Sequence, residues 1–238
     1  MRSLRTNKTL RTNVITYAVV VAAFVLFQAL GSAGVLSSTM KGQLVPICAY
    51  VLMALSLNLT VGILGELSLG HAGFMSVGAF AGAVTASAMQ DSVPSSALRL
   101  TVAVLVGAAL AAIVGVLIGI PVLRLNGDYL AIVTLAFGEI IKSIVNNLYI
   151  GMDVNGLHAS FLNNTIVLGE GGRMILSGPM GVPGIKKTAT FAAGFILILI
   201  ALFVIFNLVN SRAGRAIMAL RDNRIAAESV GINVTKYK

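Results

Sequence analysis

Glu139 and Lys142 are two charged side chains inside an otherwise uncharged apolar stretch, residues 129–149. Their spacing of three residues would place them on the same face of a helix, where they can form an ion pair. A carboxylate within such a stretch should face the interior of a bundle or water, because burying its charge without a partner is costly. The pair therefore predicts either a structural ion pair or a carboxylate that lines a polar pathway.

A second polar feature is the glycine-rich segment 65–73, which interrupts two apolar stretches and contains Ser68 and His71. Glycines this dense weaken a regular helix. We expect a broken or re-entrant backbone here, with both side chains exposed to a polar cavity on a translocation route. Asn58, at the end of the preceding apolar stretch, is a further candidate for this route.

Two Gly-x-x-x-Gly pairs lie in the apolar stretches, Gly78 with Gly82 and Gly115 with Gly119. Small residues at this spacing let the backbones of two helices approach closely inside a membrane. We therefore predict tight helix packing at both pairs.

The sequence nominates no catalytic residue and no metal ligand set. His71 and His158 are its two histidines and lie far apart, and the single cysteine, Cys48, sits in an apolar run. Neither a phosphate-binding Gly-x-x-x-x-Gly-Lys-Ser/Thr loop nor a Gly-x-Ser-x-Gly elbow is present. We expect a protein that is not an enzyme and binds no cofactor itself, and an intramembrane enzyme ranks last among the alternatives.

The composition excludes an ordinary soluble enzyme. Hydrophobic residues make up 57% of the 238 residues and charged residues only 11%, whereas soluble domains carry about 25% charged residues. The net charge is +9, but the basic residues flank apolar blocks rather than forming a patch interleaved with aromatics. This pattern argues against nucleic-acid binding and for a membrane protein.

The apolar stretches predict an all-α, polytopic transmembrane bundle of about six spans. Each is long enough to cross a hydrocarbon core, which takes about 20 helical residues, and none shows the alternation of barrel strands. The predicted spans are residues 12–40, 42–65, 67–90, 100–123, 129–149 and 188–211.

The distribution of Lys and Arg predicts a cytoplasmic N-terminus. With six spans, eleven of the 17 basic residues fall on that side, five fall outside and Lys142 lies within a span. The long outer loop, residues 150–187, contains eight glycines and should be irregular and rich in turns. This loop packs over the mouth of a pathway, meets an external partner, or is a passive connector.

Residues 211–238, the C-terminal segment, read as two short amphipathic helices. Asp222 or Asn223 can cap the second helix and Gly231 can end it. Such a segment either lies on anionic lipid or docks into a groove on a cytoplasmic partner.

The C-terminal segment resembles the coupling loop of permease subunits of ATP-binding-cassette importers, which has a Glu-Ala-Ala-x-x-x-Gly core. Ala226, Ala227 and Gly231 stand at the matching positions, with Ile225 in place of the glutamate. Two longer stretches, LNLTVGILGELSLGHAGF at 57–74 and RLNGDYLAIVTLAFGEI at 124–140, are similar to branched-chain amino-acid permeases of the LivM type. The resemblance extends from about residue 44 to the end of the chain.

This resemblance implies a single permease domain, residues 1–238, of an importer in the bacterial cytoplasmic membrane that moves Leu, Ile or Val inward. The implied partners are two ATPase subunits, which bind and hydrolyse ATP, a sister permease subunit and an external substrate-binding protein. The implied ATPase contacts are Ala226, Ala227 and Gly231 with the neighbouring Arg215 and Arg221.

Members of this family usually continue through further membrane helices, so we expect the chain to be truncated at its C-terminus. Urea or short amides are the alternative solutes within the same machinery. A passive channel or secondary transporter is the alternative from another class, although neither would need a docking element after residue 211.

Overall fold

A computed structural model describes residues 2–90, 92–123, 125, 127–153, 156–162, 166, 169, 172–183 and 188–237, without the side chains of 2–10, 235 and 236. Arg124, Lys186, Lys187 and Lys238, which were counted for the orientation, lie outside the described residues, as do several positions of the loop 150–187.

Long helices dominate the described chain, because its apolar stretches can satisfy their backbone polar groups only within themselves. The order is α1 (Arg2–Ser32), α2 (Ser38–Leu57), a π-helical turn (Asn58–Leu64), α3 (His71–Ala88), α4 (Ser96–Val122), α5 (Asp128–Asn146), β1 (Leu148–Asp153), β2 (Gly156–Phe161), β3 (Arg173–Ser177), a 3-10 turn (Gly178–Met180), α6 (Phe191–Asn210), α7 (Arg212–Asp222), α8 (Arg224–Ser229) and α9 (Val234–Tyr237).

Four helical segments among the described residues are long and apolar enough to cross a membrane by length and composition: Arg11–Ser32, Ser38–Leu64, Ser96–Val122 and Phe191–Asn210. The other two predicted spans are also helices, but α3 has only 18 residues and α5 has 19. Polar and glycine residues make α3 less apolar, and α5 carries three charges. The expected helical, multi-pass membrane protein is confirmed, while the number of six spans is approximate.

The chain divides into two compact units, residues 1–59 with 189–238 and residues 60–188. In the first unit α6 packs against α1 and α2, and its buried core comprises Cys48, Ile198 and Leu202. Gly194 makes this packing possible, since a Cβ there would lie 2.8 Å from the Cβ of Cys48.

In the second unit α3 packs against both α4 and α5. The first Gly-x-x-x-Gly pair lies in the α3–α4 contact, because a Cβ on Gly82 would come within 3.1 Å of the Ala103 carbonyl oxygen. Across from it, a Cβ on Gly107 would lie 2.5 Å from the Gly78 carbonyl oxygen. The prediction of tight packing is confirmed here. It is not met at the other pair, since no described atom approaches a Cβ on Gly115 within 4 Å.

The outer loop differs from the irregular structure we expected, because three of its segments form an antiparallel sheet in the order β2-β1-β3. Helix α5 accordingly ends at Asn146, before the predicted limit of 149. The Arg173 guanidinium donates to the Ser87 carbonyl oxygen at 2.6 Å, and a Cβ on Gly178 would lie 2.7 Å from the Asn146 carbonyl oxygen. The loop therefore packs on the C-terminal ends of both α3 and α5, which must lie on one side of the membrane.

The glycine at 107 should be required for the α3–α4 contact. We expect Gly107→Ala to lower the thermal midpoint of the detergent-solubilised protein, since overpacking of this kind costs about 1–3 kcal/mol. Gly115→Ala, in the same helix, is the matched control and should leave the midpoint unchanged or slightly higher. Equal midpoints for the two variants in size-exclusion thermal melts would contradict the packing described here.

Candidate functional site

Residues 65–70, which we call the break, run without regular structure between the π-helical turn and α3. Gly65 begins the break with a φ of +80°, a conformation that glycine adopts without strain. The Glu66 amide donates to the Thr60 carbonyl oxygen at 3.2 Å. The predicted interruption of the backbone is therefore present, and it follows an unusual π-helical turn that the sequence did not indicate.

Thr134 of α5 holds the far end of the break. The Leu69 amide donates to its Oγ1 at 3.1 Å, and the same hydroxyl donates to the Ala131 carbonyl oxygen at 2.9 Å. Thr134 is buried, so water cannot easily replace this contact. The threonine thus supplies a hydrogen bond that the non-helical backbone needs.

The break and α5 approach each other so closely that glycine is required. A Cβ on Gly70 would lie 2.5 Å from the Thr134 carbonyl oxygen, and a Cβ on Gly73 would lie 3.1 Å from the Cα of Gly138. Thr134 is six residues beyond the first residue of α5, Asp128, a rise of about 9 Å along the helix axis. The break therefore contacts the body of α5 and not its end.

A cavity of about 320 Å³, which we call the groove, lies between α3 and α5 beside the break. Its lining is largely apolar, with Ser76, the Glu139–Lys142 pair and Asn146 as the polar side chains. The residues that line it are Leu69, Ala72, Gly73, Ser76, Phe80, Leu135, Gly138, Glu139, Lys142, Val145 and Asn146.

Glu139 and Lys142 form the predicted ion pair, with Lys142 Nζ 3.1 Å from Glu139 Oε2. Both side chains are 64% exposed, and both lie in the C-terminal half of α5. Charges at such a position are costly against lipid. This face of α5 must therefore meet water or protein, and the groove beside it satisfies that requirement.

The four predicted pathway residues are only partly brought together. Glu139 lines the groove, whereas Ser68 and His71 lie in the break and at the start of α3, both half-buried. The His71 ring faces the Ser68 backbone, and its Nδ1 is buried without a hydrogen bond among the described residues. Asn58 is an exposed C-cap of α2 in the first unit.

Sequence reasoning missed the residues of α5 that hold the break and line the groove. Thr134, Gly138 and Val145 recur at spacings of four and seven residues, as expected for one face of a helix. That periodicity, read together with Glu139 and Lys142, could have identified the face of α5 that meets α3.

The C-terminal segment leaves α6 through a sharp turn at Ser211 and Gly214. Ser211 caps α7, because its hydroxyl accepts from the Gly214 amide at 3.1 Å. A Cβ on Gly214 would collide with the Leu208 and Val209 carbonyl oxygens. Gly214 is therefore required for this turn, and the sequence analysis did not single it out.

The expected pair of short helices is present in α7 and α8. Asn223, one of the two predicted caps, accepts from the Ala226 amide at 3.0 Å. Gly231 ends α8 with a φ of +85°, and the following Ile232 amide donates to the Ala227 carbonyl oxygen at 3.1 Å. The predicted caps therefore hold both ends of the second helix.

The predicted coupling residues differ in their exposure. Ala227 is only 4% exposed, whereas Ala226 and Gly231 lie on the surface. Arg215 donates to the Asn210 carbonyl oxygen at 2.9 Å, and Arg221 pairs with the adjacent Asp222 at 2.9 Å. Ala227 is thus packed inside the segment, and Arg215 makes a hydrogen bond to the end of α6.

Two large apolar side chains of the C-terminal segment project into solvent, with Ile225 81% and Val230 76% exposed. Ile225 occupies the position at which the coupling motif has glutamate. Because caps hold both ends of α8, Ile225 in its first turn and Val230 at its C-cap have defined positions at the surface.

Residues 39–238 match the family model described as the permease component of branched-chain amino acid transport systems. The chain belongs to this family. The match covers the break, the groove and the C-terminal segment, whereas α1 lies outside it. No solved structure matches the chain significantly.

Two curated relatives carry the name LivM, permease protein of the high-affinity branched-chain amino acid transport system. The relative from Salmonella typhimurium is 37% identical and the one from Escherichia coli is 34% identical, each over 79% of this chain. The alignments cover 45% of the relatives. This family member therefore spans about half the length of the curated relatives it matches.

The Thr134 hydroxyl can be tested by a nearly isosteric substitution. Thr134→Val leaves the Leu69 amide without its acceptor, at a cost of about 1–3 kcal/mol, and should speed hydrogen exchange in residues 65–70. Thr134→Ser keeps the acceptor and is the control. Exchange-mass spectrometry that finds the break equally protected in both variants would exclude the proposed role of this hydroxyl.

Proposed function

We propose that the chain is part of a permease subunit of an ATP-binding-cassette importer that carries branched-chain amino acids inward. Membership of the permease family over residues 39–238 is the observation that carries this proposal. The names of the two relatives support the choice of solute. The permease itself catalyses no reaction and binds no cofactor, and ATP is hydrolysed by partner subunits.

The groove between α3 and α5 is the part of the translocation route that this chain contributes. Its support is physical, because the groove gives the charges of Glu139 and Lys142 a surrounding other than lipid, against which charged side chains are costly. The break lies at one end of the groove, and non-helical backbone at membrane depth is tolerated where it is buried or lines a cavity. Ser68 and His71 contribute through the break, whereas Asn58, in the first unit, is a separate candidate for the route.

The C-terminal segment is the site at which ATPase subunits act. Closure of the ATPases would move α7 and α8, and the sharp turn at Gly214 would transmit this movement to α6. Ile225 and Val230 provide the apolar contact. Arg221, Ala226 and Gly231 lie beside them, while Ala227 and Arg215 hold the segment in shape.

The importer has two such ATPases, a sister permease subunit and an external substrate-binding protein, and resides in the bacterial cytoplasmic membrane with the N-terminus of this chain inside. The excess of Lys and Arg on the inner side supports this orientation. In this orientation the sheet of β1, β2 and β3, which packs on α3 and α5, faces outward and would meet the binding protein.

The proposal predicts that the full-length, detergent-solubilised permease co-purifies with ATPase subunits, because a docked segment requires its partner. Mass spectrometry of a pull-down identifies the partners, and leucine uptake by the same cells tests the solute. Recovery of the correctly inserted permease alone would contradict the importer and favour a channel or secondary transporter. Urea uptake without leucine uptake would contradict the choice of solute.

Replacement of Ile225 and Val230 by Asp should abolish both ATPase recovery and uptake, because it removes the proposed apolar contact. Since both side chains are exposed and do not hold the fold, the permease should still reach the membrane in normal amounts, as measured by immunoblot. Val35→Asp, an equally exposed valine between α1 and α2, is the control and should change neither. Normal uptake in the double variant would refute the docking role of this surface.

A further inference from the structure

The groove carries two opposite charges on an otherwise mostly apolar lining. Lys142 Nζ and Glu139 Oε2 lie 3.1 Å apart, and both side chains remain accessible. Leu135 and Val145 flank the pair on α5, and Phe80 faces it from α3. A solute that enters the groove therefore meets one cation, one anion and hydrocarbon within a single site.

We propose that the groove is a binding site for a zwitterionic α-amino acid with an aliphatic side chain. The Glu139 carboxylate receives the solute's ammonium group, and the Lys142 ammonium receives its carboxylate. The apolar lining takes the side chain. This inference rests on the proposed function and extends it, by assigning recognition of the solute to this chain as well as to an external binding protein.

Charge balance favours a zwitterion over the other solute classes. A lone cation or anion would pair with only one member and leave the other, which is partly exposed to solvent, without a counter-ion. Urea carries no charge, so it could satisfy neither member fully. Only a solute with both charges can separate Glu139 from Lys142 and still give each an oppositely charged partner.

Size and energetics agree with this choice. The cavity of about 320 Å³ lies at the lower end of the range for small-molecule sites, about 300–1,000 Å³, which suits a single amino acid and not a peptide. Exposed ion pairs contribute little to stability, so the solute loses little affinity by opening this one.

Protection of a cysteine in the groove from alkylation provides a direct test. Ser76→Cys places the reporter in the lining, in a full-length permease whose other cysteines are replaced by serine. The permease complex in lipid nanodiscs, without an external binding protein, is treated with a maleimide and increasing L-leucine. We expect alkylation to slow about tenfold at ten times the half-protecting concentration. Ser143→Cys, exposed on α5 outside the groove, should not be protected.

Analogues of leucine and substitutions of Glu139 and Lys142 test which charge of the solute each side chain binds. Leucinamide lacks the carboxylate and 4-methylpentanoate lacks the ammonium group, so both should protect at least about tenfold less well than leucine. Glu139→Gln and Lys142→Gln should each raise the half-protecting concentration of leucine by a similar factor. The exchange Glu139→Lys with Lys142→Glu restores an ion pair but reverses its order, and should not restore protection.

The inference is overturned if leucine fails to protect up to its solubility limit, if either analogue protects as well as leucine, or if the charge exchange restores protection. In each case leucine uptake by the unmodified permease would leave the proposed function standing. Absence of leucine uptake by an assembled, ATP-hydrolysing complex would instead refute the proposed function itself.

Discussion

In a membrane protein, a backbone amide outside a regular helix needs an acceptor within the protein, and the Thr134 hydroxyl supplies one for Leu69. The hydrogen bond of 3.1 Å lets the chain run without regular structure beside α5. Gly70 and Gly73 permit the approach because they carry no Cβ. Since α3 begins directly after the break, this contact also determines where α3 starts and which of its residues face α5.

The groove is a consequence of that arrangement. With the break against the body of α5, the faces of α3 and α5 beyond it separate enough to leave a cavity, and Glu139 and Lys142 lie along it. Their charges would be costly against lipid. The pair that makes α5 less apolar therefore also makes this side of the groove polar. The sheet of β1, β2 and β3 packs on the C-terminal ends of both helices through Arg173 and Gly178.

The C-terminal segment follows a different rule, because it lies beyond the last apolar helix and is held by local hydrogen bonds. Ser211 and Asn223 cap its two helices, and Gly231 ends the second. Such local rules were readable in the sequence, as the prediction of Asn223 and Gly231 illustrates. The sharp turn at Gly214 was not, since the need for glycine there arises from the carbonyl oxygens of the preceding helix.

Composition and apolar length by themselves determined that this is a helical, multi-pass membrane protein, because lipid leaves a chain few ways to satisfy its backbone. Helical spacing determined the Glu139–Lys142 pair, and a motif of small residues determined the α3–α4 contact at Gly78 and Gly82. Only the tertiary structure decided that Gly115 has no such neighbour among the described residues, that the loop after α5 forms a sheet, and that Thr134 holds the break. Each of these features depends on which other segment of the chain lies beside it. The local sequence around each residue is the same whether or not such a segment is there, so it could not predict the contact.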